Sequence, residues 1–302
     1  VSLTGKGKLG EQIEESGITV VPLKLNHPSR MIGSFLRLVS LLKKERPHFV
    51  QMWLTHATVV GSLACLLARV RSIIWTIHTG NQDESRVKLS IRLMTRFLAL
   101  FSHKIPQTIV SCSETARERH IILGYSAEKI VVIPNGTETD LFVPNREAAK
   151  QLLEEAGVPK EAPVIGIVGR WTPEKDHETF FKAALLIQER LPETRFVICG
   201  PEIDASDKRV AGFLSLSNHP NNFHFLGSRK DMPQLYSGLT LLALTSVSEG
   251  FPLVLGEAMS CGVPCVATNV GDCEQIVGTT GIVTRTGMAE TIAQAWERIL
   301  TM

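Results

Sequence analysis

The sequence predicts an α/β chain of two doubly wound, Rossmann-like parallel sheets facing a cleft, and three observations carry that prediction. Short β-branched runs alternate with longer stretches of helical periodicity along the whole chain. The strand-like runs are continuously apolar, the pattern of a parallel sheet covered on both faces. The rhythm breaks once near the middle and restarts, and 302 residues leave room for two domains at about 100–200 residues each.

In the first half the strand-like runs cover residues 18–23, 48–53, 73–77 and 108–111, and helical spacing covers 31–44, 59–67, 87–101 and 114–123. Ile133-Pro134-Asn135-Gly136 is then a turn signal after a strand, followed by a polar, charged helical stretch over 146–155 and by Gly157, Pro159 and Pro163. The domain boundary is placed there, giving residues 1–142 and 143–302. In the second half, strands are expected over 164–168, 195–199, 222–225, 240–244 and 265–268, and helices over 179–189, 232–237, 252–260 and 289–300. A doubly wound sheet binds ligands outside the carboxyl ends of its strands, so function is sought in the loops at those ends.

Composition narrows the function classes. The net charge of +2 gives no whole-molecule attraction for nucleic acid, but it is a cancellation: residues 1–150 hold 20 Lys/Arg against 12 Asp/Glu, and residues 151–302 hold 12 against 18. The longest apolar stretch, 57–68, is short of the about 20 residues that a membrane-crossing helix needs. The six cysteines lie mostly in apolar contexts, as reduced, buried thiols of a cytoplasmic protein do. Cys261, Cys265 and Cys273 lack a fourth ligand at zinc spacing, so no metal is expected. No strand is followed by Gly-x-Gly-x-x-Gly, which disfavours a dehydrogenase.

The richest segment runs from Ser248 to Pro264. Gly250 lets backbone approach a ligand, Pro252 suits the first helical position and Gly262 the stop, so a strand-end loop delivers a helix N-terminus whose free N–H groups favour phosphate or sugar oxygen. Glu257 interrupts an otherwise apolar helix, and a pair of ribose hydroxyls would satisfy it. Glu249 stands in the loop, free to face the cleft. A Glu257 that reaches solvent and a Glu249 that only complements the helix dipole give the same sequence. Gly169-Arg170, with Lys175 five residues later, ends another strand and offers a guanidinium fork and an ammonium to a diphosphate, or two solvated charges. In the first half, Trp75-Thr76-Ile77-His78 and Met52-Trp53-Leu54-Thr55-His56 each end a strand close to a histidine, placed either to contact a ligand or to cap a loop.

Taken together and in this order, Glu249-x7-Glu257, Gly169-Arg170 with Lys175, Ile133-Pro134-Asn135-Gly136 and Trp75-Thr76-Ile77-His78 resemble the retaining GT-B glycosyltransferases of family 4 over nearly the whole chain. Gln51-Met52-Trp53-Leu54-Thr55-His56-Ala57 is similar, more narrowly, to bacterial members that build O-antigen or capsular polysaccharide. The resemblance implies an N-terminal acceptor-binding domain and a C-terminal domain that binds a nucleotide diphosphate sugar. Arg170 and Lys175 would neutralise the diphosphate, Glu257 would hold the ribose, and Glu249 with Gly250, Phe251 and Leu253 would hold the donor sugar. His78 would contact the sugar, the base would lie near Gly227 and Ser228, and His56 would face the acceptor. The reaction implied is transfer of a hexosyl unit with retention, by front-face substitution and without a metal or other cofactor, to a glycan or lipid-linked acceptor.

The family usually begins with a strand, a Gly-rich loop and a helix ahead of Val1-Ser2-Leu3 and continues past Met302, so the chain reads as truncated at both ends. Asp176 stands where the family often has Gly, and Pro201 departs from a frequent Gly-x-Gly turn. Arg86, Lys88, Arg92 and Arg96 punctuate a helix bearing Leu89, Leu93, Phe97 and Leu100, which fits a peripheral contact with anionic lipid at the inner face of the plasma membrane, or a solvated helix face. Competing readings are a GT-B nucleotide-sugar epimerase and an inactive nucleotide-sugar-binding fragment.

Overall fold

The computed structural model describes all residues but 26, 27, 79, 81–87 and 202, and for residues 8 and 28 the backbone alone. The chain splits into two compact units, 1–78 with 83–133 and 79–82 with 134–302. They part at the Pro134-Asn135-Gly136 turn.

The first unit opens with α1 (Gly7–Glu15) and α2 (Met31–Glu45), then alternates β1 (Val50–Trp53), α3 (Thr55–Ala68), β2 (Ile73–Ile77), α4 (Leu89–Ser102), β3 (Thr108–Ser111), α5 (Glu114–Ile122) and β4 (Ile130–Val132). The four strands are parallel and lie in sequence order. Right-handed crossovers between sequential neighbours fall on one face of a sheet. The core accordingly gathers on the face that carries Met52, Ile73, Trp75, Ile77, Ile109 and Ile130. On the other face Trp53 and Val131 are exposed and Gln51 donates to Thr76 Oγ1 at 3.1 Å. The apolar run over 18–23 forms no regular strand: it meets only the short segment 2–4, where Ser2 N donates to Val21 O at 3.0 Å and Leu23 N donates to Ser2 O at 2.8 Å about a single Ser2–Pro22 bridge. α3 begins at Thr55, so His56 sits in its first turn. α4 holds the expected basic and apolar helix, while Val87 and Arg86 lie outside the described residues.

The second unit comprises α6 (Arg146–Glu155), β5 (Val164–Val168), α7 (His177–Arg190), β6 (Arg195–Cys199), α8 (Lys208–Leu214), β7 (Phe223–Gly227), α9 (Met232–Ser237), β8 (Leu241–Leu244), α10 (Leu253–Ser260), β9 (Cys265–Thr268), α11 (Cys273–Val277), β10 (Ile282–Thr284) and α12 (Ala289–Leu300). Its six strands are parallel, in the order β10-β9-β8-β5-β6-β7. Successive strand residues feed opposite faces. Ile165, Phe196, Ile198 and Leu241 pack with Phe180 and Trp296, whereas Val164, Val197, Leu242 and Leu244 pack with Tyr236 and Leu255. This sheet is doubly wound, as its continuously apolar strands predict.

All six cysteines are buried and outside any disulfide, matching the expected thiols. Among the described residues no helix is long and apolar enough to cross a membrane. α1, α8, α11 and β10 escape the sequence pattern because each is short or carries few apolar positions.

Candidate active site

In the second sheet the chain runs outward in both directions from the β5–β8 pair: β6 and β7 follow on one side, β9 and β10 on the other. The crevice at the carboxyl ends of β5 and β8 is therefore a topological switch point, the place where open α/β sheets take ligands. The β5 end delivers Gly169, Arg170 and Lys175, and the β8 end delivers Thr245, Ser246 and Glu249. The two loops are tied together. Thr245 Oγ1 donates to the carbonyl of Asp176 at 2.9 Å, and Val247 N donates to that of Glu174 at 2.8 Å.

Lys175 Nζ donates to Glu249 Oε1 at 2.6 Å, and Ser246 Oγ donates to the same oxygen at 2.6 Å. The pair is largely enclosed, with 26% of the lysine and 12% of the glutamate side chain exposed. The resemblance implies a separate ligand for each residue, the diphosphate for Lys175 and the sugar for Glu249, whereas in the structure the two side chains meet across the switch point. Arg170 is exposed and has no ion-pair partner among the described residues, so its guanidinium is available to an anion. Beside it Trp171 stacks on His177 at 4.9 Å and 17°, and the Arg209 guanidinium lies 4.6 Å from the Trp171 ring.

α10 starts one residue later than expected, with Pro252 as its extended N-cap and not its first helical residue, and Gly262 lies in the left-handed region (φ +78°) after its end, as expected. Gly250 is buried, Phe251 is half-buried and Leu253 is exposed at the first turn. The loop after β9 packs against them. A β-carbon on Gly271 (φ +54°) would stand 2.5 Å from the Gly250 carbonyl oxygen, so only glycine fits there. Glu257 is half-buried one turn into α10, and its Oε2 accepts from Tyr236 Oη at 2.7 Å.

Glycines also close the carboxyl ends of the neighbouring strands. Gly169 N donates to Cys199 O and Gly200 N to Gly227 O, each at 2.9 Å, and a β-carbon on Gly200 would stand 2.0 Å from the Gly169 oxygen. Gly227 has φ +60°, Ser228 is exposed, and Arg229 next to them is held in a two-point pair by Asp231 at 2.8 and 2.6 Å. Gly200, Ser246, Trp171 and Gly271 were not singled out from the sequence. Cys199-Gly200 carries the strand-then-glycine signal that marks Gly169, whereas Gly271, three residues past the end of β9, Trp171 and Ser246 carry none.

In the first unit, Trp53, His78 and Ser111 stand at the carboxyl ends of β1, β2 and β3. The Trp53 and His78 rings stack at 4.7 Å and 13°, and His78 Nε2 is buried with no partner among the described residues. Desolvation lowers the His78 pKa, so the ring is neutral at pH 7, with one nitrogen to accept and one to donate. Leu54, next along, has φ +73° and ψ 154°, a conformation that a branched residue adopts only under strain. His56 is exposed. Ser113 caps α5, accepting from Ala116 N at 3.1 Å.

Residues 1–141 match the family model "Glycosyltransferase Family 4" and residues 162–302 match "Glycosyl transferases group 1". A UDP-Gal:alpha-D-GlcNAc-diphosphoundecaprenol alpha-1,3-galactosyltransferase of Escherichia coli is 31% identical over 242 residues, which are 78% of this chain and 62% of that protein. A D-inositol 3-phosphate glycosyltransferase of Corynebacterium urealyticum is 27% identical over 270 residues, 80% of this chain and 62% of its own length. The chain thus spans about three fifths of the length of these curated relatives. Among solved structures, HepE of Anabaena in complex with UDP superposes with a TM-score of 0.86 at 23% identity, covering 100% of this chain and 82% of that one. Sucrose-phosphate synthase of Thermosynechococcus elongatus does so with 0.73 at 19%, covering 94% and 71%. The two matches account for both units, and the chain belongs to the family 4 glycosyltransferases of GT-B fold.

Proposed function

We propose that this chain transfers a hexosyl unit from a nucleotide diphosphate sugar to a glycan or lipid-linked acceptor in the cytoplasm, during synthesis of a cell-surface polysaccharide. The observation that carries this reading is the Lys175–Glu249 pair across the switch point, with the unpartnered Arg170 and the start of α10 beside it. A leaving diphosphate gathers negative charge as the glycosidic bond breaks, and fixed cations with free helix N–H groups stabilise it where it forms. Arg170, Lys175 and the first turn of α10 take that role, with no step assigned to a metal. The Escherichia coli relative is named for a UDP-sugar donor and a lipid diphosphate acceptor, and HepE was solved with UDP, which makes a uridine nucleotide the first donor to try.

Glu249 serves to position the sugar in this reading. Its Oε1 already accepts two short hydrogen bonds, a poor state for a nucleophile, and that favours retention by front-face substitution over a covalent intermediate. Phe251, Leu253 and the Gly250 backbone complete the sugar site, Gly227 and Ser228 flank the base, and His78 and His56 serve the sugar and the acceptor.

The test is a mass-spectrometric assay of nucleotide sugars with lipid-linked acceptors. Arg170→Ala is expected to lower kcat/KM at least about a hundredfold, the cost of removing one charge-stabilising donor. Undiminished transfer by that variant, or a product formed by epimerisation with no acceptor present, overturns the reading.

A peripheral membrane contact belongs to the same proposal. Leu89, Leu93 and Leu100 of α4 and Leu66 and Leu67 of α3 are each more than half exposed. An apolar groove of about 560 Å³ between these helices adjoins a cavity of about 830 Å³ lined by Lys43, Arg46, His48, Arg69 and Arg71 and by no carboxylate. Apolar surface bordered by unopposed cations suits anionic lipid. Lys88 and Arg96 are exposed as that contact needs, but Arg92 is half-buried.

A further inference from the structure

Tyr236 has no role in the reaction as described so far. It lies in α9, fully buried, with the Phe142 ring 6.0 Å away. Its hydroxyl donates to Glu257 Oε2 at 2.7 Å, and the other carboxylate oxygen, Oε1, takes no hydrogen bond among the described residues. Burial, and after it the charge of Glu257, push the phenol well above the ordinary tyrosine range, so the proton stays on Tyr236 and the direction of the bond is fixed.

Phenylalanine would fill the same space without burying a hydroxyl, and a half-buried carboxylate has water at hand to solvate it. The hydroxyl therefore buys orientation. The helix is also closely seated at the adjacent residue, since a β-carbon on Gly256 would stand 2.3 Å from Thr137 Oγ1. A side chain held at one oxygen, on a helix wedged in place, is pre-organised for a ligand.

We propose that Tyr236 is a positioning residue for the donor nucleoside: it holds Glu257 by Oε2 so that the carboxylate meets both ribose hydroxyls in a fixed geometry. The proposal rests on the assignment of Glu257 to the ribose.

Calorimetric titration of the chain with UDP and GDP, and with their 2′,3′-dideoxy counterparts, tests it in the wild type, Tyr236→Phe, Glu257→Gln and the double variant. The wild type is expected to prefer the ribo form by about tenfold. Tyr236→Phe is expected to remove most of that preference while leaving the dideoxy affinity within about twofold, and to cost nothing further on top of Glu257→Gln. Equal weakening of both ligands by Tyr236→Phe overturns the proposal and leaves Glu257 in place. A wild type that binds ribo and dideoxy forms equally, or binds neither diphosphate, overturns the assignment of Glu257 and the proposal with it. Should Tyr236→Phe fold poorly, Tyr236→Leu, which also removes the hydroxyl, is read against the same pairs of ligands with the same two outcomes.

Discussion

At Asp176 a strained backbone conformation and capping chemistry coincide. The residue sits at φ +45° and ψ 54°, where glycine is free of strain and Asp is among the few other residues tolerated. It also caps α7, accepting from Thr179 N at 3.2 Å and from Thr179 Oγ1 at 2.6 Å. Asp176→Ala, which loses the cap and keeps the β-carbon, is expected to cost about 1–2 kcal/mol in urea unfolding, and Asp176→Gly only a few tenths. Equal costs would mean that the backbone conformation is irrelevant. The next residue, His177, is 1% exposed and neither ring nitrogen has a partner among the described residues. Burial, then the charges of Lys175 and Arg209, push its pKa from 6.5 down to about 4. The unfolded chain takes up a proton near pH 6.5 that the folded chain refuses until about pH 4, so this contribution is intact above pH 6.5 and is lost as the pH falls towards 4. It is on the order of 3 kcal/mol in full. The Tm of wild type should fall more steeply between pH 7 and 4.5 than that of His177→Phe; parallel curves would remove His177 as the cause.

At the scale of elements, glycines set the geometry of the site. Gly169, Gly200 and Gly227 let the ends of β5, β6 and β7 draw together through backbone hydrogen bonds, and this places Arg170. Gly200→Ala forces the Gly169 carbonyl away, with an expected loss of about 1–3 kcal/mol in urea unfolding and weaker binding of nucleoside diphosphate. Unchanged stability and affinity would show that the strand ends are not rigidly coupled. Strands and long helices were legible in the sequence because apolar period and length are local properties. The 18–23 run forms no regular strand because the segment it pairs with, residues 2–4, is too short to build a ladder. Pro252 and Gly262 bracket α10 to within one residue because capping chemistry is local as well.

For the molecule as a whole, the basic first half and acidic second half are a sequence fact, whereas the location of the cations is a structural one. Lys43, Arg46, Arg69 and Arg71 come from two segments and converge at the amino ends of β1 and β2, beside an apolar groove. Co-sedimentation with phosphatidylglycerol vesicles is expected at 0.05 M salt and to fall severalfold at 0.5 M, with little binding to phosphatidylcholine (conditions roughly bracketing Debye lengths of about 14 and 4 Å). Binding indifferent to lipid charge would exclude this face as an electrostatic dock.

The sequence by itself determined the parallel strands, the two-unit plan and the residues Arg170, Lys175, Glu249 and Glu257, because apolar periodicity, turn residues and charged side chains at strand ends are written along the chain. Only the tertiary structure decided which of them meet. Lys175 and Glu249 are 74 residues apart and Tyr236 and Glu257 are 21 apart, and each pair forms because strand order at the switch point and helix packing beneath it bring distant segments together. Strand order is a property of the packed sheet and leaves no mark on any single strand.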